Sequence, residues 1–162
     1  MGATMIILGW IAALGLLAFL FDGWYERQYN PNPDPDTTFV NGRPEVRLQA
    51  NRQGHYVTTG QINGIEAQFL LDTGATSVAI PGEIAARFSL RRGAAVRMQT
   101  ANGTSVGFET TLESVRIGTI VRRNVRAIVA PGFAGEEILL GMTFLRHLDI
   151  EQSRRQLLLR VR

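Results

Sequence analysis

Phe69-Leu70-Leu71-Asp72-Thr73-Gly74-Ala75-Thr76-Ser77, near the middle of the chain, decides how the rest is read. Three large apolar residues in succession read as a strand entering a core. A carboxylate directly behind them is costly to bury without a partner. Thr73 supplies a short hydroxyl, and Gly74 is free to take positive φ, so the backbone can turn sharply at the acid. The expectation is a carboxylate held on a tight loop at the mouth of a β core.

Upstream, Asn63-Gly64 predicts a type I′ turn between strands His55–Ile62 and Ile65–Leu71. Ile65, Ala67, Phe69 and Leu71 share one face and Leu70 lies on the other, so both faces become buried as the strand nears Asp72. Earlier still, Val46 and Leu48 alternate with Arg47 and Gln49, and Asn51–Gly54 is a turn. Downstream, Val78–Ile80 is a short strand ended by Pro81, and Gly82–Phe88 predicts a turn or two of helix. Val96–Thr100 and Thr104–Phe108 predict a hairpin with Asn102-Gly103 at its tip. Thr111–Ile117 and Val121–Val129 are further strands. After a loop over Ala130–Glu137 come a short buried strand, Ile138–Leu140, and a brief helix, Met142–His147. Leu148–Glu151 and Gln156–Arg160 make a last hairpin around Ser153-Arg154. The fold class expected is all-β.

These residues carry a resemblance. Leu71-Asp72-Thr73-Gly74-Ala75 resembles the catalytic loop of aspartic proteases, and the alanine after the glycine is similar to the single-lobe retroviral type, the retropepsins. The Asn63-Gly64 hairpin stands at a fitting distance before it, and Ile138-Leu139-Leu140-Gly141 resembles the second motif of that family. The match covers about residues 45 to 160. It implies a retropepsin-like closed β-barrel or sandwich lobe with one short C-terminal helix. It also implies Asp72 as the catalytic acid, Thr73, Gly74 and Ala75 as the active-site loop, and Thr100, Ala101, Asn102, Gly103 and Thr104 as a mobile flap over an extended peptide substrate. No cofactor and no metal is expected.

Hydrolysis without metal or covalent intermediate needs a base for the water and an acid for the carbonyl and leaving amine. Two close carboxyls that share one proton can do both. The chain has a single Asp-Thr-Gly, so a second Asp72 is expected from another copy, in a homodimer. The resemblance further implies that Thr73 ties the two loops together and that Gly74 lets substrate backbone approach. Glu83, Glu109, Glu136, Glu137 and Asp149 lie in polar or turn contexts and read as solvated surface charges or helix-end partners rather than catalytic groups. Retroviral relatives join their termini in an interface sheet; here the N-terminal segment leads to a membrane linker instead, which argues against that role for Gln156–Arg162. The rival to an aspartic endopeptidase is a non-catalytic peptide-binding or assembly module that keeps the fold.

The chain has 162 residues, no cysteine and a net charge of +3. That excludes a disulfide framework and thiolate metal sites. His55 and His147 stand far apart without a companion motif. Every basic side chain is arginine, and the pairs Arg91-Arg92, Arg122-Arg123 and Arg154-Arg155 lack the aromatic interleaving of a nucleic-acid surface, so no nucleic acid is expected. Met1–Phe21 holds no charged side chain, and an apolar run of about 20 residues suffices to cross a bilayer. Trp24 and Tyr25 follow where amphipathic aromatics favour the interface. A cleaved signal peptide would need a positively charged start and a small-x-small site, and neither is evident. The expected organisation is a transmembrane anchor with its flank over 1–27, a proline-rich extended spacer over 28–44, and the protease-like domain over 45–162. Charge does not orient the helix. The resemblance to small membrane-anchored bacterial proteases implies the inner membrane, with the domain in the periplasm.

Overall fold

The computed structural model describes residues 2–100, 103–133 and 135–162. It opens with one long helix, α1 (Gly2–Tyr29). No proline interrupts this stretch, and its apolar side chains from Met5 to Phe21 are exposed rather than packed on the domain. The segment Thr4–Tyr29 is long and apolar enough to cross a membrane.

The domain that follows is mostly strand, as expected. It begins earlier than expected, with β1 (Asp36–Val40) and β2 (Arg43–Gln49), followed by β3 (Val57–Ile62), β4 (Ile65–Leu71) and β5 (Val78–Pro81). A short helix α2 (Gly82–Arg87) precedes β6 (Ala95–Thr100), β7 (Gly103–Ile117), β8 (Ile120–Ala130) and β9 (Glu137–Leu140). Helix α3 (Met142–Leu145) then leads to β10 (Leu148–Ser153) and β11 (Gln156–Val161).

The larger sheet runs β3-β4-β9-β5-β8-β7-β6, and a further β3–β7 pairing closes six of its strands into a barrel. Gln61 and Ile62 pair with Arg116 and Val115 to make the closure, and the Asn63 side chain accepts from the Ser114 amide at 3.1 Å beside it. Closure leaves no free edge except through β6, which extends from β7 as the arm of a hairpin. The interior is filled by Ile62, Phe69, Ile80, Leu112, Ile138 and Leu140, all fully buried. Burial of Phe69 alone stabilises the fold by about 1.5–3 kcal/mol.

The second sheet runs β1-β2-β11-β10. Val46 and Leu48 of β2 face the core with Leu157 and Leu159 of β11, as their alternation predicts. Glu45 is buried too, and the Arg160 guanidinium meets it at 2.6 Å. This pairs a charge that would otherwise be costly to bury.

Four expectations need correction. The stretch 28–44 is not an extended spacer. It contains β1 and the start of β2, joined by an Asn41-Gly42 turn with both residues at positive φ. Ahead of β1, Asn30 and Asn32 are buried in the domain. The Asn32 side chain donates to Val57 O at 2.7 Å and Gln49 O at 2.9 Å and accepts from Gln49 N at 2.7 Å, stitching β2 to β3. Second, 104–108 and 111–117 are one continuous strand of 15 residues, because β6 and β8 pair with it in succession and β8 pairs with Glu109 and Thr110, where the break was expected. Third, Gly103 is the first residue of β7, where it pairs with Thr100, and not part of the turn. Ala101 and Asn102 lie outside the described residues. Fourth, the face that Ile65 shares with Ala67, Phe69 and Leu71 is not buried over its whole length: Ile65, beside the hairpin turn, is 46 % exposed.

Candidate active site

The topology explains why the Asp72 loop and the Ile138–Gly141 motif belong together. Strand β9 lies between β4 and β5, parallel to β4 with Leu71 opposite Leu140 and antiparallel to β5 with Ala79 opposite Leu139. The loop 72–77 leaves β4 and enters β5, so it must pass over the end of β9. At that crossing the backbones touch. Asp72 N donates to Leu140 O at 3.3 Å, and Met142 N donates to Ala75 O at 2.8 Å. A side chain on Gly141 would collide with the carbonyl oxygens of Ala75 and Ser77. Only glycine lets the strand end approach the loop this closely.

Two further residues hold the loop, and neither stands out in the sequence. The Thr143 hydroxyl, on α3, accepts from Val78 N at 3.0 Å and fixes the exit into β5. Tyr56 O accepts from Leu71 N at 3.0 Å and fixes the entry. The signal was present for Thr143, a hydroxyl two residues after a glycine that must lie against the loop. Tyr56 acts through its backbone, which carries no side-chain signature.

Within this frame Asp72 is half-buried. Its Oδ1 accepts from the Gly74 amide at 2.8 Å, and Asp72 O accepts from Ala75 N at 3.2 Å, which closes the turn. Among the described residues that amide is the carboxylate's one hydrogen-bond donor. Thr73 and Gly74 are exposed and Ala75 is half-buried. The loop therefore presents an acid, a hydroxyl and a bare backbone position on its outer surface.

The other expected site residues fall in two places. Ile138 and Leu140 are buried and Leu139 is half-buried beneath the loop, so the second motif is its support. Thr100, Gly103 and Thr104 lie at the far end of the β6–β7 hairpin, where the Thr104 hydroxyl donates to Gln99 Oε1 at 3.2 Å. Among the other acids, Glu137 sits at the start of β9 facing the Tyr29 hydroxyl, and Asp149 meets Arg162 at 2.8 Å. No group of three or more metal-ligating side chains occurs among the described residues. A groove of about 920 Å³ opens next to the loop between Thr76, Ser77 and Thr143 and the loop Ser89–Gly93. A cavity of about 760 Å³ lies instead between the end of α1 and the barrel, and no residue of the Asp72 loop lines it.

Residues 58–147, more than half of the chain, match the family described as gag-polyprotein putative aspartyl protease. A Sinorhizobium protein described as an uncharacterized protein in the cobV 5′ region is 37 % identical over 116 residues, which is 70 % of this chain and 50 % of that protein. The chain thus spans about half the length of that curated relative. A retropepsin-like aspartic protease from Rickettsia conorii superposes with a TM-score of 0.60 at 25 % identity, over 79 % of this chain and 95 % of that one. The EIAV protease, solved with the inhibitor HBY-793, shares the fold with a TM-score of 0.50 at 22 % identity, over 61 % of this chain and 92 % of that one. The family model and the fold agree, and the chain belongs to the retropepsin-like aspartic protease family.

Proposed function

We propose that the protein is a membrane-anchored aspartic endopeptidase that works as a homodimer, with one water activated between two Asp72 carboxyls. The observation that carries this reading is the Asp72 loop: a half-buried aspartate with one oxygen engaged by Gly74 N–H, beside an exposed Thr73. An Asx-turn would make the same bond, so the reading leans equally on the family match over residues 58–147.

The chemistry follows from the number of acids. No second carboxylate hydrogen-bonds Asp72 among the described residues, so one chain holds half of the acid–base pair. A two-fold axis through the loop brings identical patches together. The two carboxyls then resist double ionisation and share one proton. The ionised member takes a proton from water as the water attacks the peptide carbon. The protonated member gives its proton to the carbonyl oxygen and the pair later protonates the leaving amine. In the proposed dimer the exposed Thr73 residues bond across the axis. The β6–β7 hairpin, with residues Thr100–Thr104 at its end, serves as the flap. It is paired on one side only, the condition under which a hairpin can swing over an extended peptide. Helix α1 holds the chain in the bacterial inner membrane, with the domain on the periplasmic side.

The test is cleavage of a peptide library by the full chain in detergent, with and without Asp72→Asn. Loss of at least about a hundredfold supports the reading. Mixing wild-type and Asp72→Asn chains in equal amounts separates dimer from monomer. A dimer that needs both acids retains about a quarter of the activity, whereas independent subunits retain about half. Cleavage that survives Asp72→Asn overturns the mechanism, and tight peptide binding without cleavage by either form supports a binding module instead.

A further inference from the structure

The face of the domain around the exit of α1 is formed by two turns. The first, Asn51–His55, joins β2 to β3. The Asn51 side chain donates to Tyr29 O at 3.2 Å, and the Arg52 guanidinium lies 5.5 Å from the centre of the Trp24 ring. The second, Ser153–Gln156, joins β10 to β11, and Arg155 from it donates to the carbonyls of Ala50 and Asn51. The two turns are thus one surface, fastened to the last turns of the helix.

Helix geometry sets the height of that surface. The charge-free apolar run ends at Phe21, and Trp24 is three residues further, about 4.5 Å along the axis. The polar headgroup layer is about 5–7 Å thick on each side of the hydrocarbon. With Phe21 at the hydrocarbon boundary, Trp24 and the Arg52 guanidinium stacked on it fall inside the headgroup layer. The surface carries Arg52, Arg154 and Arg155, all exposed, and neither turn contains an acidic residue. Among the described residues, none of the three pairs with a carboxylate.

We propose that this face is a docking surface for anionic lipid headgroups, so that the barrel rests on the bilayer instead of standing off it. The charge is complementary, because an anionic membrane surface attracts each nearby arginine. The inference rests on α1 being a membrane anchor, and the test keeps the two apart. The chain has no cysteine, so Gln53→Cys gives a single site for a fluorophore in the full chain. The labelled protein is reconstituted in vesicles of phosphatidylcholine alone or of phosphatidylcholine with phosphatidylglycerol, each containing a headgroup-borne nitroxide quencher. The docked-to-free ratio read from quenching should be higher on the anionic vesicles. It should fall about fivefold for each of Arg52→Gln and Arg154→Gln, and fall with added salt. Arg155 is left in place because it ties the two turns together. Quenching that ignores lipid charge, salt and both substitutions overturns the proposal while the anchor stands. Release of the protein from the vesicles by alkaline carbonate overturns the anchor and the docking together.

Discussion

Replacing Gly141 with alanine tests the reading of the catalytic loop most directly. The added methyl carbon would lie 2.6 Å from Ala75 O and nearer still to Ser77 O, where ordinary contact begins at 3.4 Å. Relief needs a shift of about 1 Å between strand end and loop, and both obstacles are backbone, so no side chain can rotate away. The movement also strains the Met142 N to Ala75 O hydrogen bond of 2.8 Å. Overpacking of this kind costs about 1–3 kcal/mol, which lowers the melting temperature by roughly 4–12 °C for a domain of this size. A displacement near 1 Å at reacting groups costs about a hundredfold in rate. The expected result is a protein that still folds, melts earlier and cleaves about a hundredfold more slowly, measured by thermal circular dichroism and peptide turnover. Gly132→Ala is the control for melting, because its new methyl meets only Ser105 Oγ at 3.5 Å. If Gly141→Ala melts and cleaves like wild type, the strand end does not position the loop and the argument fails.

Other outcomes follow from the same structure. Thr143→Val keeps the side-chain shape but leaves Val78 N–H without its acceptor, and should cost about 1–2 kcal/mol in chemical denaturation. An unchanged midpoint would show that the hydroxyl does not hold the loop. Asn32→Ala removes three hydrogen bonds between the α1–β1 connection and strands β2 and β3, at a cost of about 2–4 kcal/mol. By the same logic, a chain cut at Glu45 should be less stable than one cut at Asn30, and equal melting of the two would count against a folded connection. For catalysis by a shared proton, activity should be highest on the acid side of neutrality. It should then fall as rising pH removes that proton, because the protonated partner is the acid of the pair. A rate that climbs steadily above neutrality contradicts it.

The parts of this fold legible in the sequence are those whose physics is local. The Asn63-Gly64 turn adopts φ of 52° and 83° as its type demands, and β4 ends at Leu71 with the acid immediately behind it. The glycine of Ile138–Gly141 could be recognised, but its reason could not: the loop crosses it from 64 residues away in the chain, and topology creates that contact. The N-terminal connection was hidden for another reason. Its alternating prolines read as extended chain, yet the Asn30 side-chain amide docks onto the Thr59 hydroxyl and that of Asn32 onto the Gln49 and Val57 carbonyls, 17 to 29 residues away, which leaves no periodic trace. One signal there was available. Asn41-Gly42 is flanked by Phe39-Val40 and Val46, the same turn chemistry that marks the β3–β4 hairpin. The unbroken β7 was obscured at Glu109-Thr110, two polar residues that read as a gap between strands, yet β8 pairs with both.

The absence of slack between α1 and the barrel restricts how two chains can meet. A tethered domain on a loose cord could tumble and offer any face to its neighbour, whereas this one inherits the helix's tilt. In the proposed pair, both helices enter the bilayer from the same side. The rotation relating them must therefore run along the membrane normal, since a rotation axis lying in the plane would send one helix out the opposite side. A cleft that straddles such an axis holds its occupant flat, parallel to the lipid surface. Polypeptide skimming the membrane, rather than dangling from solution, is the geometry such an assembly would meet first.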